Sequence, residues 1–243
     1  MSDHPYLEHS GIIAFAHRGG NRLAPENTLA AFQAAADMGY RYLETDVHAA
    51  SDGTVYAFHD PSLERMTGDD KNICDLNAAD IDSLRIDGDH AIPRLTDLLE
   101  AFPDARFNID AKADSSVAPL VEVIKSAQCL DRVGFCSFSR KRTARLEKAL
   151  GSAACITGGP FVLWKKPPFT PHCIQTPIVY KDRRRDFLVR RIIKRAHRRG
   201  LQVHAWTIND EADMRWLIDL NIDGIMTDDI ALLKRVLEET GHW

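Results

Sequence analysis

Short β-branched or aromatic runs alternate with longer helical patterns along nearly the whole chain, the signature of βα units and a parallel sheet rather than a sandwich. The runs lie at 11–17, 42–48, 55–59, 105–111, 132–138, 154–158, 173–179, 202–208 and 223–227. Helical patterns fill 27–38, 96–102, 115–127, 139–150, 186–199, 210–219 and 229–239. No helix separates 42–48 from 55–59, so that pair reads as one strand with a hairpin extension, leaving eight βα strands. Eight such strands in 243 residues match a (β/α)8 TIM barrel, whose active site sits at the C-terminal ends of the strands. An open doubly wound sheet would share the alternation, but the first strand runs into His17-Arg-Gly-Gly-Asn-Arg22 and not into G-x-G-x-x-G.

Residues 60–92, rich in Asp, Asn and Gly with one short helix near 77–84, read as a small insertion after the second strand. The whole of 1–243 is therefore expected to be a single barrel domain. In the first helix Asn27 is the expected cap, Leu29, Phe32 and Ala36 the buried face, and Gly39 the stop. The helix at 186–199 is amphipathic, with Leu188, Val189, Ile192, Ile193 and Ala196 set against a largely basic opposite side.

Charge and cysteine usage narrow the partners. With 31 basic and 35 acidic residues, net −4, no global field draws the protein to nucleic acid. The basic stretch 181–199 holds ten Lys/Arg against two Asp, so weak peripheral membrane contact is considered there, beside the reading of a solvated helix face. The apolar run 11–16 is far too short to span a bilayer, and no basic region precedes an apolar one at the N-terminus. Five scattered cysteines without a C-x-x-C pair suit a reducing compartment, and a cytoplasmic protein is expected.

A barrel strand stays apolar until its ligand-facing rim, so polar residues at strand ends carry the information. The second strand ends in Glu44-Thr-Asp46-Val-His48, and residues two apart share a side of the sheet. Glu44 and Asp46 thus project together, where like charges repel unless a cation lies between them. Asp110 on the next strand can add a third oxygen, and an oxygen-only set selects Mg²⁺ or Ca²⁺ over zinc. The alternative is solvated strand ends or structural ion pairs.

His17 and His59 each close an apolar strand and can serve as general acid and base near neutrality; the plainer reading is a hydrogen-bonded strand-end histidine. Arg18 and Lys112 bring two cations to the same rim, suited to a phosphate or, more plainly, to surface ion pairs. His48 is in phase with Asp46 and can enter the site. Trp206 on a late strand is either core or an apolar wall for a substrate's organic part.

At these residues the chain resembles the glycerophosphodiester phosphodiesterases. The matching blocks are His17-Arg18-Gly19, Ala24-Pro-Glu26-Asn27-Thr28-Leu-Ala-Ala-Phe32, Glu44-Thr-Asp46-Val, Asp52-Gly53 and Phe58-His59-Asp60 with Leu63 and Arg65. They continue as Ile92-Pro-Arg-Leu95, Asn108-Ile-Asp110-Ala-Lys112, Trp206-Thr-Ile-Asn209 and Asp223-Gly-Ile-Met-Thr-Asp228. The resemblance implies a (β/α)8 barrel that hydrolyses a glycerophosphodiester to sn-glycerol 3-phosphate and an alcohol. It implies His17 and His59 as the acid/base pair, and Glu44 and Asp46 as ligands of a divalent ion. Arg18 and Lys112 would contact phosphate, Trp206 the glycerol, and Glu26 and Asn27 would organise the first loop. The family's third metal carboxylate is usually Glu in Glu-x-Lys, where this chain has Asp110 in Asp-x-Lys, and His48 stands where Gln is common. A lysophospholipase D acting on lipid substrates and a non-catalytic phosphodiester-binding barrel are the alternatives.

Overall fold

A computed structural model describes residues 4–178 and 186–243. Eight parallel strands follow one another around a closed barrel. They are β1 (Ile13–Ala16), β2 (Tyr42–Ala49), β3 (Arg106–Ala111), β4 (Val133–Cys136), β5 (Cys155–Gly158), β6 (Cys173–Pro177), β7 (Gln202–Trp206) and β8 (Gly224–Thr227). Closure comes from β1, which pairs with β8 through Ile13↔Gly224 to Ala16↔Thr227 and with β2 through Phe15↔Tyr42. The expected hairpin extension is Val55–Ala57, antiparallel to β2 with Val47↔Ala57. The reading of 173–179 as a strand holds to Pro177, and position 179 lies outside the described residues.

Among the described residues seven helices cover the outside: α1 (Leu29–Asp37), α2 (Leu95–Ala101), α3 (Val117–Ala127), α4 (Arg140–Leu150), α5 (Asp186–His197), α6 (Glu211–Asp219) and α7 (Ile230–Glu239). After β5 no α-helix intervenes before β6 among the described residues: 159–172 form a loop that opens with a 3-10 turn, Pro160–Leu163, whose carbonyls at Leu163 and Val162 accept from Arg195 and Arg199 at 2.7 and 2.8 Å. Two of the basic residues of 186–199 therefore tie elements together; 181–185 of the basic stretch lie outside the described residues. In α5 the buried residues are Val189, Ile193 and Ala196, while Leu188 is exposed.

Thr28, not Asn27, caps α1, its hydroxyl accepting from the Ala31 N–H at 3.2 Å. Asn27 stands outside the helix at φ 56, and its Oδ1 accepts from Thr45 at 2.8 Å, which pins the first loop to β2. The buried face is Ala31, Phe32 and Ala35 rather than Leu29, Phe32 and Ala36. Leu29 is the first helical residue and stays exposed.

The barrel interior is filled by Tyr6, Ile13, Phe15, Tyr42, Cys155, Cys173 and Met226, a packed core and not a pore. A larger apolar layer lies between strands and helices. Tyr6 enters from the N-terminal end and its carbonyl accepts from the Tyr42 hydroxyl at 2.7 Å. Its ring occupies the space a side chain would need at position 134, since a Cβ on Gly134 would stand 2.5 Å from it. Gly134→Ala is expected to destabilise the fold by about 1–3 kcal/mol through overpacking, read from the midpoint of denaturant unfolding.

The insertion after β2 carries its own small cluster, in which Tyr56, Phe58, Leu63, Ile73, Ile81 and Ile86 pack together. Its expected helix is Ala78–Ser83, capped by Asn77; a further one-turn helix at Glu64–Thr67 and a hairpin of Arg85–Ile86 with His90–Ala91 were not legible from pattern.

At the opposite end of the barrel, His197 Nε2 lies 2.7 Å from Asp223 Oδ2, and the same oxygen accepts from the Val203 N–H at 2.8 Å. The Asp223 hydrogen bond raises the His197 pKa against the effect of partial burial. A raised pKa means a contribution present in full below the unfolded histidine value of about 6.5 and lost as pH climbs through the folded value. His197→Ala should therefore cost more stability near pH 6 than near pH 9, which paired unfolding curves at the two pH values will show.

Candidate active site

The mouth of the barrel holds a cavity of about 440 Å³. His17, Arg18, Glu44, Asp46, His59, Asp110, Lys112 and Trp206 all line it, so the structure brings together all eight residues singled out in the sequence. His48 does not line it: its Nε2 donates to the His59 carbonyl at 3.1 Å and braces that residue's main chain, while burial lowers its own pKa.

At the end of β1 the chain turns sharply. Arg18 has φ 53 and Gly19 φ 84, and a Cβ on Gly19 would meet the Ala31 main chain at 2.9 Å. A left-handed arginine carries local strain of the kind kept at functional sites. The turn aims the Arg18 N–H at Glu44 Oε2, 2.9 Å away, and its guanidinium at Glu26 (3.0 Å) and Asp46. The Arg18 Nε to Asp46 Oδ2 approach is 3.0 Å but out of line, so both atoms are buried without a hydrogen bond.

The parallel register of β2 and β3 sets Asp46 against Asp110. Lys112 Nζ lies 2.7 Å from an oxygen of each, and the two carboxylates push its pKa up. Burial works against ionisation of all three carboxylates, with different outcomes. In Asp46 the burial effect is outweighed by Lys112 and Arg18, and its pKa falls below the ordinary value. In Asp110 burial wins and the pKa rises. Glu44 is pushed up to about 7 by burial and by the neighbouring Asp46 charge.

Two of these oxygens, Asp46 Oδ2 and Asp110 Oδ1, are buried and accept no hydrogen bond. Buried carboxylate oxygens that lack a hydrogen bond, beside a third carboxyl held near neutral pKa, are what a hard cation would satisfy, and the donor set is oxygen-only. Glu44, Asp46 and Asp110 thus fit a divalent ion in chemistry. Among the described residues no three acidic, histidine or cysteine side chains already converge at coordinating positions, and Lys112 bridges two of them.

Both histidines are held in the same way. His17 Nδ1 donates to Asp228 Oδ1 at 2.6 Å, and His59 Nδ1 donates to Asp60 Oδ1 at 2.6 Å. A carboxylate accepts only, so in the neutral ring the proton sits on Nδ1 and Nε2 keeps its lone pair. His17 Nε2 lies 3.9 Å from Glu44 Oε2. Burial lowers the His17 pKa, yet Glu44 and the Asp228 hydrogen bond outweigh it and the net shift is upward. Asp60 is in turn held by Arg65 at 2.5 Å, which also reaches Glu26 at 2.6 Å, coupling the insertion to the first loop. Asp228 accepts from Asn209 Nδ2 at 2.7 Å.

Asp228, Asn209, Asp60 and Arg65 are residues to which the sequence assigned no role. Asp60 was readable as the neighbour of His59; Asp228 lies 211 positions from His17 and meets it only because the barrel closes.

A closed (β/α)8 barrel whose mouth gathers two carboxylate-held histidines, two cations and three acidic side chains defines a barrel hydrolase of the phosphodiesterase class. The chain belongs to the glycerophosphoryl diester phosphodiesterase family, whose sequence signature matches residues 17–232. A Mycobacterium tuberculosis protein described as a probable glycerophosphodiester phosphodiesterase is 35% identical, covering 98% of this chain and 95% of its own. A lysophospholipase D of Rattus norvegicus is 29% identical over 91% of this chain and 85% of its own. Among solved structures, a glycerophosphodiester phosphodiesterase of Agrobacterium tumefaciens superposes with a TM-score of 0.81 at 23% identity, over 93% of this chain and 99% of that one. An Oleispira antarctica phosphodiesterase, solved with its product sn-glycerol-3-phosphate, superposes with a TM-score of 0.79 at 24% identity, over 94% and 97% of the two chains. Among the described residues no helix is long and apolar enough to cross a membrane.

Proposed function

We propose that this chain, one barrel unit including its insertion, hydrolyses glycerophosphodiesters to sn-glycerol 3-phosphate and an alcohol, with His17 and His59 as the acid/base pair. The observation that carries the reading is the matched support of the two rings, each anchored by an Nδ1–carboxylate bond of 2.6 Å beside a cavity that also holds Arg18 and Lys112. The product bound to the Oleispira antarctica protein supports the same substrate class. Arg18 and Lys112 offset phosphodiester charge and orient its non-bridging oxygens. One histidine takes the proton of the attacking oxygen, water or the substrate's own 2-hydroxyl, and the other protonates the departing alkoxide. Trp206 packs against the glycerol. Glu44, Asp46 and Asp110 would hold Mg²⁺ or Ca²⁺, which when bound neutralises charge growing on the phosphoryl oxygens. Five free thiols support a cytoplasmic setting.

The test is release of sn-glycerol 3-phosphate from glycerophosphodiesters by chelated protein, with Mg²⁺, Ca²⁺ or Mn²⁺ returned one at a time. Chelation is expected to abolish turnover and one of the ions to restore it. A folded protein that fails with every ion and every glycerophosphodiester refutes the reading.

The lipid reading draws on the rat relative and on Phe138, 75% exposed at the cavity mouth. Turnover of lysophospholipids, or co-sedimentation with liposomes, would move the assignment there.

A further inference from the structure

The cavity has two unlike halves. The acidic residues and Lys112 lie toward β2 and β3; the opposite wall, from the ends of β4 to β7, is aromatic and includes Phe138, Phe161, Phe169 and Trp206. Phe138 meets Trp206 edge to face at 5.5 Å and 84°, and Phe161 meets Phe169 at 6.4 Å and 84°. A wall of this kind beside a phosphodiester site is where an ammonium head group would be held, by attraction to the ring faces. Here the chain's own cations take those places. Lys112 Nζ lies 5.4 Å from the Phe138 ring centre, and the Arg140 guanidinium carbon 4.9 Å from that of Phe161.

Among the described residues no acidic side chain lines the aromatic half, and Arg140 has no carboxylate partner. Arg140 opens α4, whose first turn is Arg140-Lys-Arg142 with no acidic residue. Cations at a helix N-terminus oppose its dipole, and of the two arginines here Arg142 is offset by Asp114 at 3.2 Å while Arg140 is not. Nearby, the Ser137 and Thr143 hydroxyls line the cavity and donate to the carbonyls of Ala111 and Ser139; Ser137 Oγ also accepts from the Ser139 N–H at 3.3 Å, which leaves it one further acceptor position.

We propose that this wall selects the alcohol of the diester by charge: it accepts an oxygen-rich polyol, whose hydroxyls bond the Arg140 guanidinium and the Ser137 and Thr143 oxygens, and turns away amino alcohols such as choline and ethanolamine. The inference rests on the phosphodiesterase reading above and adds the identity of the leaving group.

The experiment compares kcat/KM for glycerophosphoglycerol, glycerophosphocholine and glycerophosphoethanolamine in the wild type, Arg140→Gln and Arg140→Glu, with the same ion throughout. Glu at a helix start suits the dipole, so Arg140→Glu is expected to fold. The wild type should prefer glycerophosphoglycerol by about tenfold or more, and Arg140→Glu should shift that ratio toward choline by roughly 10²-fold, with Arg140→Gln between. A purely structural arginine would lower all three rates together and leave the ratio in place, which overturns the proposal. So does a wild type that handles glycerophosphocholine as well as glycerophosphoglycerol. If no diester is hydrolysed, the phosphodiesterase reading falls and this inference with it; hydrolysis without charge preference removes this inference alone.

Discussion

On the acid/base roles proposed above, replacing His17 or His59 by alanine is expected to lower kcat by roughly 10²–10⁴-fold with the barrel still folded. Each ring lies at the mouth, outside the apolar clusters that hold the fold. Truncation therefore removes no core packing. What it removes is an Nε2 whose direction a 2.6 Å carboxylate bond has already fixed, and a positioned proton carrier of this kind contributes in the transition state far more than in the bound substrate. The loss should accordingly fall on kcat with KM little changed. If the two rings serve one proton circuit, as proposed, the double variant should lose less than the product of the single losses. Initial rates, together with thermal unfolding of each variant, decide this. Near-normal turnover by either variant removes that histidine from the chemistry.

The barrel was legible because its signal is repeated. Buried strands with helices between most of them leave the same pattern over and over, and the break at 42–48 with 55–59 is resolved as a hairpin extension by the absence of a helix. Seven of the eight cavity residues are legible for a related reason: polarity at the end of an apolar strand is an anomaly in the local sequence. Asp228, which follows β8, shows the same anomaly, but its partner does not follow from it, since its contact with His17 depends on the last strand returning to the first. The Asn27 cap was misjudged because Asn and Thr both cap helices well, and what separates them is a tertiary bond from Thr45 that draws Asn27 out of the helix. Arg140 has no role in the sequence reading; its distinction is a place over Phe161, set by the 3-10 turn that opens the loop after β5.

Asp228→Asn tests the support of His17 more sharply than removal of the ring does. Asn209 has a fixed orientation, because its Oδ1 accepts from the Asp228 N–H and the Thr227 hydroxyl, both at 2.9 Å. Its Nδ2 must therefore donate toward Asp228 Oδ2. An amide at 228 has to turn its oxygen to that donor, which leaves its NH₂ facing His17 Nδ1. The ring then accepts at Nδ1 and carries its proton on Nε2, the tautomer unable to act as base toward the cavity. A carboxylate-to-amide exchange behind a catalytic histidine should lower kcat by roughly 10²–10⁴-fold while leaving the fold intact. The same logic predicts a rescue. In Asp228→Asn combined with Asn209→Asp, the new carboxylate still accepts from the main chain and from Thr227, and it also accepts the NH₂ of the new amide. The amide oxygen is then free to face His17 Nδ1–H, and about tenfold or more of the lost rate should return. A double variant no better than Asp228→Asn, with both proteins folded, would mean that Asp228 contributes through its charge and not by fixing the tautomer.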